Sequence, residues 1–193
     1  NLIVNVQDIN DSPPVFTSTH YAIAMSESSQ NGTAIIKLQA TSKDIGVNAE
    51  ISYSIIGGND HKKFVIDKES GVVSLADMVD YEKSKDYFLT VQAQDHGEPP
   101  LSTLASLNIS ILDFNDNAPV FSQNSYHARI REDAKTFDKI LQVRANDMDS
   151  NENGKVRYYI ERGDHMNQFS IEAETGYISV ANELDRETTS NYV

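Results

Sequence analysis

Asp8 and Asp113 lie 105 residues apart, and so do Phe16 and Phe121, Tyr21 and Tyr126, Glu27 and Glu132, Asp44 and Asp149, and Asn48 and Asn153. The register continues without a gap through Tyr53 and Tyr158, Phe64 and Phe169, Gly71 and Gly176, Asp80 and Asp185, and Glu82 and Glu187. An ungapped period of domain size marks one unit duplicated in tandem, so whatever folds must fold within about 100 residues and tolerate a copy of itself as neighbour. The 193 residues divide accordingly into the end of a preceding unit with its linker (1–12), a complete unit with its linker (13–117) and an incomplete following unit (118–193). The chain begins in mid-strand at Asn1 and stops at "SNYV" before its last repeat is finished, which reads as a piece of a longer chain.

Within one period the apolar residues follow a spacing of two. "DYFLTVQAQ" puts Tyr87, Leu89, Val91 and Ala93 on one face and Phe88, Thr90, Gln92 and Gln94 on the other, and "LNISIL" turns Leu107, Ile109 and Ile111 inward. Further runs at Tyr21–Met25, Thr33–Ala40, Ile51–Ile55, Phe64–Asp67 and Val72–Leu75 bring the count to seven. Turn signals separate them: "QNG", "GGND", "ESG" and "HGEPP". No capped helical stripe interrupts the pattern. The expected fold is all-β: tandem seven-stranded antiparallel Greek-key β-sandwiches. With no cysteine and no tryptophan, it is not an ordinary immunoglobulin domain.

A 39% hydrophobic content suffices for one complete core and part of a second. No apolar run is long enough to span a bilayer, and the N-terminus lacks the basic and apolar regions of a signal peptide, so the piece reads as soluble. The absence of cysteine fits a reduced compartment and a disulfide-free extracellular one equally. The net charge of −13 argues against nucleic acid and favours cations.

The acids gather where strands end. If Leu107–Leu112 closes one unit and Tyr126–Ile130 opens the next, "DFNDNAP" at Asp113–Pro119 is the joint between them, and Pro119 stops the strand from continuing. "SES" around Glu27, "DYE" at Asp80–Glu82 and "DMDSNEN" at Asp147–Asn153 are strand-end segments as well. Two like charges about 5 Å apart cost roughly 3 kcal/mol at an effective dielectric of about 20. A hard divalent cation removes that cost, and Ca2+ tolerates irregular cages of oxygens better than Mg2+ does.

"DFNDNAPVF" resembles the linker motif of cadherins, "DMDSNENG" their aspartate and asparagine motif at the top of the following repeat, and "LDRE" at Leu184–Glu187 their third motif, of which "DYE" is a variant. Asp95 in "QAQDHGEP" matches the family's late aspartate. The chain is thereby similar throughout to cadherin repeats, most of all those of the giant Fat and Dachsous cadherins or of protocadherins.

The resemblance implies about three Ca2+ ions at the complete joint. Glu27, Asp80 and Glu82 would hold the outer pair with Asp113, Asp116 and the carbonyl of Phe114. Asp149 would bridge the inner two, and the third ion would take Asp147, Asp149, the side chain of Asn115 and the carbonyls of Asn117 and Asn153. Seven carboxylates would then face six positive charges. At the half-present first joint the counterparts are Asp8, Asn10, Asp11 and Ser12 in the linker, with Asp44, Asn48 and Asp95 from the complete repeat. Glu132, Asp185 and Glu187 repeat the upstream set for the joint that follows. Ser12 stands where the linker has its final Asn, which matters little if only its carbonyl binds. Ser42 stands where the pair has its first Asp, which removes a charge.

The resemblance further implies a calcium-dependent cell-adhesion ectodomain on the extracellular face of the plasma membrane, anchored only through parts of the chain outside this sequence. Its partners would be other cadherin ectodomains, same or different, with no small-molecule substrate. Strand exchange through an anchoring Trp is not expected, because there is none. Asn31 in "NGT" and Asn108 in "NIS" are glycosylation acceptors; Asn10 in "NDS" fits formally but would face calcium, with Pro13 following the Ser.

Competing readings are weaker. "DMDSNENGKVRY" fails as an EF-hand loop, with Glu152 where Gly is needed and Tyr158 where a bidentate Glu belongs. "RGD" at Arg162–Asp164 occupies the turn that is "GGN" at Gly57–Asn59, so its integrin-like spelling reads as coincidence. The five histidines show no metal-binding spacing. No nucleophile motif and no paired acids at a strand centre point to an enzyme. The rival within the binding class, a calcium-dependent glycan-binding β-sandwich module, would need aromatics exposed on one face.

Overall fold

The computed structural model describes residues 2–193, which form two compact units, one running to Phe114 and the other from Asn115 to Val193. Asn1, where the sequence suggests a strand already under way, lies outside the described residues, and Leu2–Ile9 carry no strand.

The first unit has nine strands: β1 (Val15–Phe16), β2 (His20–Ser26), β3 (Ala34–Lys37), β4 (Ala40–Thr41), β5 (Ile51–Gly57), β6 (Phe64–Ile66), β7 (Val72–Leu75), β8 (Asp86–Asp95) and β9 (Ser102–Leu112). A single 3-10 turn, Gly46–Ala49, precedes β5. One sheet runs β2-β9-β8-β5, a second β3-β7-β6, and β1 pairs with β4. The sequence count of seven rises to nine for two reasons. The apolar run Thr33–Ala40 divides, its first half pairing with β7 and its end with β1. The two-residue β1 is too short for alternation to reveal.

The inward faces are those the spacing of two picks out. Leu89, Val91 and Ala93 of β8 and Leu107, Ile109 and Ile111 of β9 are buried against Phe64, Val73 and Leu75 of the other sheet. Phe88, one residue out of phase, is 68% exposed. Among the described residues all strand pairs are antiparallel but one. β2 runs parallel to β9, with Tyr21 opposite Leu107 and Ser26 opposite Leu112.

The second unit contains β10 (Val120–Phe121), β11 (Lys139–Gln142), β12 (Ala145–Asn146), β13 (Phe169–Ile171) and β14 (Tyr177–Val180), paired as β10-β12 and β11-β14-β13. The repeat holds at the level of rings. Phe16 and Tyr53 lie 6.2 Å apart at 51°, Phe121 and Tyr158 6.3 Å apart at 50°. The Tyr53 hydroxyl accepts from Ala40 N at 2.9 Å, and that of Tyr158 from Ala145 N at 2.8 Å. Gly71 and Gly176 have φ of 70° and 72°, and a side chain on either would strike a backbone carbonyl and crowd the tyrosine ring. Residues 156–162, the counterpart of β5, carry no strand. In the first unit β5 is held by β8, whose counterpart the 105-residue register places from Asn191 onward.

Leu107→Ala should cost about 2–5 kcal/mol, the range for emptying a buried leucine site, whereas Phe88→Ala should cost about 0.5 kcal/mol or less. Urea unfolding of the first unit measures both, and equal costs would contradict the assignment of faces.

Candidate metal sites at the strand ends

The parallel pairing of β2 with β9 makes both strands leave the sheet at the same end. Glu27 follows β2 and Asp113–Phe114 follow β9, and the turn at Asp80–Ser84 leads into β8 at that same end, where Asp86 pairs with Ser110. Glu27, Asp80 and Glu82 each offer an oxygen within 4.8 Å of the others. Glu27 is buried, and both its oxygens are held by backbone donors: Oε2 by Tyr81 N at 2.6 Å and Oε1 by Phe114 N at 2.7 Å. Lys83 donates to Asp80 through its ammonium at 2.7 Å and its amide at 3.0 Å. The ammonium bond is the main reason the Asp80 carboxyl sits below the usual aspartate range, so Asp80 stays charged further into acid.

The second unit repeats the arrangement. Glu132, Asp185 and Glu187 form the same three-carboxylate cluster, with Glu132 Oε2 accepting from Arg186 N at 3.2 Å as Glu27 does from Tyr81. Asp185 is lowered chiefly by its bond from the Thr188 hydroxyl.

The opposite end of the first unit gathers the linker residues against the start of β5 and the β8–β9 turn. Asp95, 2% exposed, accepts three donors at Oδ1: Asn10 Nδ2 at 3.1 Å, Gly97 N at 3.1 Å and Leu101 N at 2.9 Å. Asp95 Oδ2 and Asn10 Oδ1 are both buried with no partner. Asp8 Oδ2 accepts from Asn48 Nδ2 at 2.9 Å and Ile45 N at 3.2 Å, and Asp44 Oδ2 from Ser12 N at 3.1 Å. Asp11 is exposed and accepts from the Ser12 hydroxyl.

The corresponding end of the second unit shows what the two departures change. Asn117 N donates to Asp149 Oδ2 at 3.3 Å, matching Ser12 to Asp44, and its side chain reaches Asp116 as Ser12 reaches Asp11. Asn117 Nδ2 also clamps Asp149 Oδ1 at 2.6 Å, a bond the shorter serine does not make to Asp44. Position 12 therefore does more than supply a carbonyl. Asp147 accepts from Asp149 N at 2.9 Å, and Ser42 keeps that turn by accepting from Asp44 N at 3.1 Å. The Ser42 hydroxyl then donates to Ser12 O at 2.9 Å, the carbonyl the sequence reading reserves for an ion. Asn153 is half-buried in the turn after Ser150, and Asn115 is exposed.

Asn31 is exposed in the turn before β3, and Asn108 is half-buried on the outward face of β9. Asp164 of "RGD" accepts from Gln168 N and Phe169 N, the place Asn59 takes with Phe64 N in the first unit, so it braces a turn. Phe16, Tyr53 and Phe64 are core residues, while Phe88 and Phe114 are the exposed aromatics of the first unit and occupy different segments. Sequence reasoning missed Lys83, the backbone donors to Glu27, and Gly97 with Pro99. Only the turn spelling "HGEPP" signalled the last two. Among the described residues no helix is long and apolar enough to cross a membrane.

The cadherin domain model matches residues 21–112 and 126–193. The Fat-like cadherin-related tumor suppressor homolog of Drosophila melanogaster is 52% identical over 98% of this chain, and human Protocadherin Fat 1 is 45% identical over 99% of it. The chain spans 4% of the length of each. The solved structure of Protocadherin Gamma B2 extracellular cadherin domains 3-6 covers 93% of this chain and 45% of its own, with a TM-score of 0.79 at 30% identity. The ungapped repeat, the sandwich and these matches agree: the chain belongs to the cadherin family.

Proposed function

We propose that this segment is a calcium-stiffened part of an extracellular adhesion ectodomain, in which Ca2+ bound where repeats meet holds neighbouring sandwiches in line for recognition of other cadherin ectodomains. The carrying observation is the recurrence of one three-carboxylate cluster, Glu27–Asp80–Glu82 and Glu132–Asp185–Glu187, at equivalent strand ends of both units. Three carboxylates that close are costly without a cation, and oxygen-only cages suit Ca2+. The other end fits the same ion, since Asp95 Oδ2 and Asn10 Oδ1 are buried acceptors without a donor. Asp113, Asp116 and the Phe114 carbonyl would complete the outer sites, and Asp147, Asp149, Asn115 and the Asn117 and Asn153 carbonyls the inner one. Asp8, Asn10, Asp11, Asp44, Asn48 and Asp95 would serve the preceding joint. The extracellular assignment draws support from the likeness to the extracellular cadherin domains of Protocadherin Gamma B2.

Extracellular modules bind Ca2+ with dissociation constants on the order of 10⁻⁴ to 10⁻³ M. In small-angle scattering across a calcium titration, Glu27→Ala and Asp116→Ala should stay bent at concentrations that extend the parent. Parent and variants equally extended throughout would refute the proposal.

The Ser42 hydroxyl is a neutral group turned onto the Ser12 carbonyl, whereas Asp147 brings a charge. Ser42→Asp should tighten Ca2+ at the Asn10–Asp44–Asp95 end by about threefold or more, because one added carboxylate beside the ion is worth on the order of 1 kcal/mol even when well solvated. Calorimetric titration showing no gain would mean that charge count does not limit this site.

Asn31 and Asn108 should carry glycans when animal cells secrete the protein, and Asn10 should be bare because its amide nitrogen is bonded to Asp95 and Pro99. Peptide mapping that found a glycan on Asn10 and none on Asn108 would contradict both roles.

A further inference from the structure

The turn between β8 and β9 contains a glycine whose backbone does not require one. Gly97 lies outside the left-handed φ region that makes Gly32, Gly46, Gly58 and Gly71 hard to replace. Its missing side chain leaves room for something else. A Cβ built on Gly97 would stand 2.8 Å from the Cβ of Asn10 and closer still to its Cγ and Nδ2. These three nearest atoms all belong to one short side chain, and the nearest of them to the backbone is already too close, so a rotation of the Asn10 amide would not relieve the contact.

Asn10 has little freedom to yield. Its Nδ2 donates to Asp95 Oδ1 at 3.1 Å and to the Pro99 carbonyl at 2.7 Å, so both amide protons are engaged across the turn that holds Gly97. That orientation leaves Oδ1 as the buried acceptor without a donor. The Gly97 amide meanwhile donates to Asp95 Oδ1, together with Leu101 N, leaving Asp95 Oδ2 as the second buried acceptor without a donor. Gly97 thus touches both groups that present an open oxygen: one through its hydrogen-bonding amide, the other through empty space.

We infer that Gly97 is a positioning residue for the cation site of Asn10 and Asp95, its bare Cα forming the seat in which the linker asparagine is locked against the β8–β9 turn. This rests on the calcium reading above and adds a residue that supplies no ligand atom. It makes the linker's attachment to the sandwich and the geometry of the site one event. Anything that lifts Asn10 from Gly97 releases the linker from Pro99 and withdraws an oxygen from the ion together.

The test is calcium titration of the 193-residue chain, followed by the amide resonances of Gly97 (or its replacement) and Leu101, which report this site alone. Gly97→Ala should weaken binding there by about tenfold or more, the usual scale for losing a group that orients a metal ligand. Its urea midpoint in chelator should stay near that of the parent. Asn10→Gly removes the three atoms nearest the new methyl, so adding Gly97→Ala to Asn10→Gly should change affinity less than about twofold. That double variant also keeps the test open should Gly97→Ala alone fold poorly. Parent-like affinity in Gly97→Ala overturns the inference, as does an equally large loss in the Asn10→Gly background. Binding that survives Asp95→Ala unchanged overturns the calcium reading and the inference with it, whereas loss in Asp95→Ala with none in Gly97→Ala overturns the inference alone.

Discussion

Mutual repulsion among carboxylates held close by the backbone is the constraint on which the rest of this structure turns. Acids at a protein surface ordinarily relieve crowding by swinging apart into water. Glu27 has no such freedom, since it is buried with one oxygen fixed by the Tyr81 amide and the other by that of Phe114. Those donors come from two different segments, one after β7 and one after β9, so the carboxylate ties two strand-end segments together at one end of the sandwich while facing Asp80 and Glu82. The fold concentrates negative charge here, and Lys83 on Asp80 offsets it only in part from an exposed position.

Strand topology decides where that concentration falls. Because β2 and β9 run parallel, Ser26 and Leu112 leave the sheet side by side and deliver Glu27 and Phe114 to the same place. An antiparallel pairing would send them to opposite ends. At the other end, β5 and β8 meet with Ile51 opposite Asp95, which sets the late aspartate next to the linker. Acidic side chains therefore gather at both ends of the first sandwich, and duplication at a fixed register repeats them in the second unit.

Much of this was legible in the sequence because two periods are physical. A spacing of two in Tyr87–Ala93 and Leu107–Ile111 follows from strands with one buried face, and the structure buries Leu89, Val91, Leu107 and Ile109. The 105-residue register picks out Glu27, Asp80 and Glu82, which do lie together. What escaped depends on contacts between residues far apart. Alternation carries no direction, so the parallel β2–β9 pairing could not be read from it. The splitting of Thr33–Ala40 follows from which neighbour each half finds. The side-chain work of position 12 appears only when Ser12 and Asn117 are set side by side: the asparagine spans to two aspartates and the serine to one. A glycine needed for space rather than for its φ looks, in sequence, like any other turn glycine.

The central claim is that the carboxylate clusters are cation sites, and crystals grown with calcium and measured for anomalous scattering test it directly. The account predicts anomalous peaks within about 2.3–2.6 Å of oxygens of Glu27, Asp80 and Glu82 and of Asp95 Oδ2 and Asn10 Oδ1. Calcium found elsewhere on the chain, with these oxygens contacting only water or lysine, would contradict it.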